Sequence, residues 1–403
     1  MLAVCLLAAS AAGVVSHGLH AHATRHAAKA TATPAARVAT VPAIVDPATP
    51  ASTASVTSTP TPSGTPTPTP SDTPTPTGPA QARAALDAFD RAFYRVSGGK
   101  ALFAQTTAGG TAQFWRQAEM LEMVEDAYAH SHRATYRRMI GELRAGIVAR
   151  FGTDWLRNTY NDDIMWMVIA WLRAYQLTGD RSYRDQAKRA FDGVYARAHD
   201  RALGGGLWWT TSRHEKNACV NGPAAIAACL LARDLHAPSY LKKARALFAW
   251  LAATLYDPSD GAVYDKISRD GTVDHSTYTY NQGTFIGAAD LLGGATGLAG
   301  YRHRADLTLR FTHDQLTVDG ILVGEGSGDG GGFKGIFARW ASRFVIHDRL
   351  TVYKTWLDDN ADTAWARRDA RGLIAGDWSL PTPSGTLHAL DCSSAVALLQ
   401  DRP

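Results

Sequence analysis

The sequence predicts an all-α domain, a closed ring of helical hairpins, carried behind a long unstructured arm. Three observations point there. Composition changes sharply near residue 80, helical periodicity dominates from Gln81 onward, and a tyrosine signature recurs at hairpin-length intervals. The bulk composition, 45% hydrophobic and 19% charged, is that of a globular chain.

The arm comes first. Residues 1–16 (MLAVCLLAASAAGVVS) form an apolar run that is short for a membrane span and suits a signal-peptide core, although the usual basic n-region is missing. Residues 1–27 therefore read as a signal peptide or a signal anchor, which leaves a membrane tether open. From 28 to 80 the chain is Pro, Thr, Ala and Ser, ending in TPTPSGTPTPTPSDTPTPTGP. Such a stretch cannot bury enough apolar surface to offset its ordering entropy, so an extended linker is expected. The arrangement suggests a secreted or surface-held protein whose working domain spans 81–403.

Within that domain, FWRQAEMLEMVEDAYAH (114–130) sets Trp115, Ala118, Leu121, Met123 and Ala127 near helical spacing. IMWMVIAWLRAYQL (164–177) is apolar almost all round, as a fully buried helix is. Strand-like alternation is confined to short pieces such as 262–268 and 320–323. Tyr136, Tyr183, Tyr240 and Tyr301 each open a helix and are followed one turn later by Ile140, Ala187, Ala244 and Ala305. The intervals of 47, 57 and 61 residues each hold one hairpin and a variable loop. Ten to twelve helices fit at this spacing. An α-solenoid would share the repeat, but the irregular Gly- and Trp-rich loops favour a closed ring with one working face.

Charge excludes some functions. Lys and Arg number 41 against 37 for Asp and Glu, and part of the excess (Arg25, Lys29, Arg37) lies in the arm. The domain is nearly neutral, so nucleic acid is not an expected partner and an uncharged ligand is suited. Beyond Cys5 there are Cys219, Cys229 and Cys392, with no CxxC spacing. One disulfide with a thiol left over, or three small buried residues, would account for them. The fourteen histidines are scattered without HExxH. Neither a metal nor a cofactor is expected, and the glycine-rich run lacks the order of a P-loop.

The chemistry concentrates at Asn161-Asp162-Asp163, two adjacent acids entering an apolar helix. A helix cap at Asn161 or Asp162 accounts for the pattern, and so does a catalytic pair. The helix N-terminus would keep Asp162 ionised, while apolar surroundings such as Trp166 would keep Asp163 protonated. Three loop–helix junctions add aromatic faces and uncharged amides: Trp208, Trp209, Lys216, Asn217 and Asn221 in 203–223; Tyr280, Asn281 and Gln282 in 278–292; Phe333 and Lys334 in 324–340. Pyranose rings present C–H faces for stacking and hydroxyls for hydrogen bonds, so a sugar site uses these groups. Taken singly, each has a plain structural account as core, cap or mobile loop.

Asn161-Asp162-Asp163 before a helix ending in Leu177-Thr178-Gly179-Asp180 resembles glycoside hydrolase family 76. So do Gly206-Leu207-Trp208-Trp209, Lys216-Asn217, Asn221-Gly222-Pro223, Tyr280-Asn281-Gln282-Gly283 and Phe333-Lys334-Gly335-Ile336, in the family's order. The resemblance implies an (α/α)6 barrel and an endo-acting α-1,6-mannanase with a retaining mechanism. By the same resemblance Asp162 is the nucleophile and Asp163 the general acid/base. Substrate-binding positions would be Trp208, Trp209, Asn217, Asn221, Asp265, Tyr280, Asn281, Gln282, Phe333 and Lys334. Asp265 resembles a family acid near the sugar hydroxyls, with Lys266 in place of the usual following glycine. The implied partner is an α-mannan polysaccharide, bound by a monomer. A transglycosidase on the same fold and a noncatalytic mannan-binding protein are the rival readings.

Overall fold

The computed structural model describes residues 78–403, and the leader and nearly all of the linker expected from the sequence lie outside the described residues. The first helix begins at Gly78, three residues ahead of the boundary expected at 81.

Twelve α-helices make up the described region: α1 (Gly78–Phe93), α2 (Phe114–Ser131), α3 (Ala134–Phe151), α4 (Asn161–Thr178), α5 (Arg181–Ala198), α6 (Ala218–Asp234), α7 (Pro238–Thr254), α8 (Thr279–Thr296), α9 (Ala299–Gln315), α10 (Gly330–Asp348), α11 (Thr351–Ala366) and α12 (Ala389–Asp401). The even-numbered helices pack each on the next, and α12 closes back onto α2. The odd-numbered helices lie outside them, each against an inner neighbour, with α1 completing the pair with α12. This is an (α/α)6 barrel. α4 and α6 are buried over most of their length, as the all-round apolar sequence of α4 requires. Gly222 and Gly283 let the inner helices approach closely. A Cβ on Gly222 would meet Thr284 Oγ1 at 2.6 Å, and one on Gly283 would meet the Phe337 Cα at 2.5 Å.

The tyrosine repeat joins the outer helices. Tyr183 on α5 donates to Ile140 O on α3, and Tyr240 on α7 donates to Asp192 on α5. Tyr301 on α9 packs edge-on against Phe248 of α7, with ring centroids 5.3 Å apart. Each ring reaches back to the preceding outer helix, and Tyr353 on α11 does the same towards His313. These tyrosines are packing residues.

One feature of the core runs against composition. Arg173 (α4) and Arg339 (α10) are buried in the ring with Glu119, Glu122 and Asp126 of α2. Arg173 donates to Glu122 at 2.7 Å and also bonds Asp126, while Arg339 donates to Asp126 at 2.9 Å and to Glu119 at 3.0 Å. Losing one member would strand its partners without water, at about 3–5 kcal/mol. The three cysteines of the described region are free and buried. Among the described residues no helix is long and apolar enough to cross a membrane.

Chain direction defines the working face. The turns from inner to outer helix are short, whereas the returns to the next inner helix are long and carry all the strands. These are β1 (Tyr94–Ser97), β2 (Lys100–Thr106), β3 (Gly109–Thr111), β4 (Glu215–Asn217), β5 (Tyr264–Ser268), β6 (Val273–Thr277), β7 (Thr317–Val318) and β8 (Ile321–Leu322). They form antiparallel sheets β1-β2-β3, β4-β5-β6 and β7-β8. The long loops therefore gather at the N-terminal ends of the inner helices, where the helix dipoles are positive.

Candidate active site

Asp162 and Asp163 sit in the first turn of α4. The N-cap is Tyr160, which makes no side-chain cap bond, so the expectation of a cap at Asn161 or Asp162 is not met. Asn161 is the first helical residue and its amide is committed elsewhere: Nδ2 donates to Trp208 O at 2.8 Å, and Oδ1 accepts from Arg197 Nε at 2.8 Å. The segment is thus held by loop 203–217 on one side and by α5 on the other.

The two acids have different surroundings. Burial lifts Asp162 to about 6, opposed by the Trp209 indole N–H, first-turn amides of α4 and the Cys219 thiol, whose Sγ donates to Oδ2 at 3.6 Å. Burial also lifts Asp163, and the neighbouring Asp162 charge lifts it further, to about 8. Asn158 Nδ2 donates to Asp163 Oδ2 at 2.8 Å and works the other way. Near neutral pH the pair therefore holds one proton, on the Asp163 side.

Around the acids the mouth is aromatic and amide-rich. Tyr280 of α8 stacks on Phe333 of α10 with centroids 3.9 Å apart, and Trp166 lies 6.4 Å from Tyr280. The Tyr280 hydroxyl is close to Cys219 and feels the charges of Asp265 and Asp162, which places all four side chains together. Asp265 lies on β5 where the pairing with β6 shifts register, and it accepts from Asn281 Nδ2 at 3.1 Å. Burial pushes its pKa up to about 6. Lys266 turns away to pair with Glu215 at 3.3 Å. Two buried amide oxygens here have no partner, Asn217 Oδ1 and Asn281 Oδ1, while the Trp209 indole N–H faces Asp162. An orphaned buried polar atom costs about 1–3 kcal/mol, so these two oxygens are groups that a hydroxylated ligand would satisfy.

Four of the expected substrate contacts are buried and engaged within the protein. Trp208 is only 2% exposed; its Nε1 donates to Asp200 at 2.6 Å and its ring lies 4.6 Å from the Lys216 ammonium, so no face is free to stack on a sugar. Asn221 accepts from Leu207 N at 2.7 Å and donates to Leu207 O at 3.1 Å. Gln282 accepts from Val263 N at 2.9 Å and donates to Val263 O at 2.8 Å. Lys334 is buried against Trp378 at 4.2 Å, with burial lowering its pKa to about 8. The two amides are loop clamps, each satisfying both polar groups of a backbone that no strand pairs. Gln117 likewise bonds both backbone groups of Phe103 on β2, and Asn360 accepts from Leu322 N and donates to Gly320 O. Gln282→Ala is expected to lower unfolding stability by about 1–3 kcal/mol in a urea titration; an unchanged midpoint would argue that the loop does not depend on the clamp.

Sequence reasoning missed several residues. Asn158 and Arg197 hold the acid segment, and Cys219 touches Asp162. Glu325, in the glycine-rich loop, accepts from the backbone N of Thr279 at 2.8 Å and so caps α8 beside Tyr280. Arg116 on α2 binds Asp329 of the same loop at 2.7 Å. Only Glu325 had a visible signal, as an acid in a polar, glycine-rich loop bordering the site.

Comparison with known proteins bears on this geometry. The family model described as glycosyl hydrolase family 76 matches residues 81–400. The structure of the α-1,6-mannanase GH76A from Salegentibacter sp. HEL1_6 is 31% identical, with a TM-score of 0.76 over 81% of this chain and 99% of that one. An inactive variant of that enzyme, with two consecutive aspartates replaced by alanine, was solved with α-1,6-mannotetrose and is 30% identical, with a TM-score of 0.77 over the same shares. The Lin0763 protein of Listeria innocua is 26% identical, with a TM-score of 0.74 over 80% of this chain and 96% of that one. No curated protein sequence matches the chain. With its folded region covered by one family model and by a structure of that family along nearly its whole length, the chain belongs to glycosyl hydrolase family 76.

Proposed function

We propose that this chain is a secreted, endo-acting α-1,6-mannanase that works with retention of configuration through Asp162 and Asp163. The observation that carries the reading is the acid pair itself. Two adjacent carboxyl groups in one helix mouth are held at different protonation levels, beside buried amide oxygens left without partners. A sugar-binding module has no need of such a pair, and the Salegentibacter enzyme solved with mannotetrose supports α-1,6-mannan as the substrate. The Pro/Thr-rich stretch ahead of the domain supports placement outside the cytoplasm.

In this mechanism Asp162, ionised, attacks the anomeric carbon as Asp163 gives its proton to the departing glycosidic oxygen. The leaving chain exits as an alcohol and the sugar is left esterified to Asp162. Asp163, now ionised, takes a proton from water, whose oxygen attacks the same carbon and frees Asp162. The developing negative charge on Asp163 after the first step is eased by Asn158, and that on Asp162 after the second by the first-turn amides of α4.

The test is product analysis on linear α-1,6-mannan, following the first-formed reducing ends by proton NMR. Oligosaccharides appearing first as the α-anomer are expected. Mannose alone, the β-anomer first, or binding without cleavage would each defeat the reading; chain lengthening would make the chain a transglycosidase. The pH profile of kcat/KM is expected to be a bell, falling below about 6 as Asp162 takes up a proton and above about 8 as Asp163 loses one. A rate still climbing through both limits would sink the assignment.

A further inference from the structure

The connection from Trp155 to Tyr160 contains Asn158, a half-buried residue with both ends of its amide in use. Its Oδ1 accepts from Tyr160 N at 2.9 Å, and its Nδ2 donates to Asp163 Oδ2 at 2.8 Å. The amide orientation follows from the network, because a flipped amide would set N–H against N–H at Tyr160 and oxygen against oxygen at Asp163. The backbone of Asn158 is also fixed. Arg197 on α5 donates to Asn158 O at 2.7 Å, to Leu156 O at 2.6 Å and to Asn161 Oδ1 at 2.8 Å, so one guanidinium staples the segment 156–161 to the outer helix.

The charged groups facing Asp163 come from three elements: Asp162 on α4 itself, Arg116 on α2 and Asp329 at the end of the glycine-rich loop. Arg116 is engaged by Asp329 through Nε at 3.0 Å and Nη2 at 2.7 Å. Among the described residues, Asn158 is the one side chain that hydrogen-bonds Asp163. A carboxyl group carries its proton on one oxygen at a time. An N–H donor fixed on Oδ2 disfavours protonation there and leaves Oδ1 to carry the proton.

We propose that Asn158 is a positioning residue for the reaction, pinning Asp163 Oδ2 so that Oδ1 is the oxygen that gives up and regains the proton. The inference rests on the reading of Asp163 as acid/base. Asn158 supports both halves of the cycle in different ways. In the first half it aims the acidic proton by occupying the other oxygen. In the second it stabilises the carboxylate that must accept a proton from water, a charge-assisted bond that is stronger than its neutral counterpart.

Asn158→Asp is the informative variant, because it keeps the shape and the acceptor for Tyr160 N while removing the donor to Asp163. Asn158→Ala removes both. A substrate-free measurement comes first: the carboxyl titration of Asp163 by carbon NMR on the full chain labelled at aspartate, with the resonance identified by its loss in Asp163→Asn. In both Asn158 variants the Asp163 midpoint is expected to rise by about one pH unit or more. An unchanged midpoint overturns the proposal.

Kinetics then separate positioning from bracing. With an aryl α-1,6-mannobioside bearing a good leaving group, the first step needs no acid. For both variants kcat/KM should stay within a few-fold of wild type, while kcat and KM fall together by on the order of tenfold as the second step becomes limiting. On linear mannan kcat/KM should fall by on the order of 10–100-fold. Equal losses on both substrates, with KM unchanged and an early melt, would make Asn158 a loop brace and overturn the proposal. A wild-type protein that turns over neither substrate, while the Asp163 midpoint still moves in the variants, would defeat the mannanase reading and leave the Asn158–Asp163 coupling standing.

Discussion

Asp163→Asn is expected to be about 10²–10⁴-fold slower than wild type on linear α-1,6-mannan, because the departing sugar is a poor leaving group that needs a proton. On an aryl mannoside with a good leaving group the same variant should release a burst of aryl alcohol and then settle to a slow steady state. The burst reports a glycosyl-enzyme on Asp162, and the slow phase reports the lost activation of water. Asp162→Asn should show neither burst nor intermediate, since the attacking oxygen is gone. Mass spectrometry of the quenched protein checks this directly: a sugar adduct on the Asp163 variant and none on the Asp162 variant. A burst in the Asp162 variant would exchange the two roles.

Stability distinguishes this reading from a helix cap. Both carboxyl groups have folded-state pKa values raised above their ordinary value, mainly by burial. A raised carboxyl pKa means that the folded state holds the proton more tightly than the unfolded one. The associated stability is complete in acid, below about 4, and drains away as pH rises towards 8. Asparagine at either position should therefore melt no earlier than wild type at neutral pH, and later at pH 8 and above. If the acids served only to cap α4, the Asn variants, which cap about as well, would cut mannan normally, and alanine at either position would melt early. Tyr160 as N-cap, with no side-chain cap bond, already points away from that outcome.

The fold was legible wherever periodicity reports burial. The run 164–177 has no polar face, and α4 is accordingly an inner helix. The tyrosines at 183, 240 and 301 mark outer helices because each reaches its predecessor, and Tyr136 is buried on α3. Less was visible in α2, where the apolar spacing was read correctly but Glu119, Glu122, Glu125 and Asp126 lie buried in the barrel. Nothing local distinguishes a solvated acid from one paired with an arginine more than forty residues away. The sheet at 94–111 was missed for a related reason: its strands are short, and only the Gly98-Gly99 turn, with φ of 55° and 73°, announces the hairpin.

At the site, the residue types were right and the partners were not readable. Asn217, Asn221, Asn281 and Gln282 share one chemistry at one kind of junction. Two leave an oxygen unpartnered at the mouth, and two spend the whole amide on backbone. What separates them is the backbone opposite, Leu207 and Val263, brought there by loops whose course is set by the barrel. Asn158 lies five residues before Asp163, in a non-helical turn where spacing carries no directional information.

Trp208→Ala is expected to be the most destabilising of the single changes near the site. A run of glycines, Gly204-Gly205-Gly206, precedes this tryptophan, yet its side chain is buried. Its ring covers the Lys216 ammonium, itself buried and bonded to Asp200, Ala202 O and Gly205 O. Truncation removes a large apolar volume, at about 3–5 kcal/mol for a core tryptophan. It also removes a desolvated cation–π contact of about 2 kcal/mol. These contributions overlap and do not simply add, so the cavity figure sets the scale. A loss of that size is a large part of the stability of an ordinary domain, and it should be plain in urea unfolding at pH 7. Trp209→Ala provides the contrast. Its indole N–H faces Asp162, so the variant should retain most of the melting temperature while losing mannan turnover. Were Trp208→Ala to melt with the wild type and weaken only mannan binding, the buried placement of that ring would be wrong, and loop 203–217 would open onto the cleft.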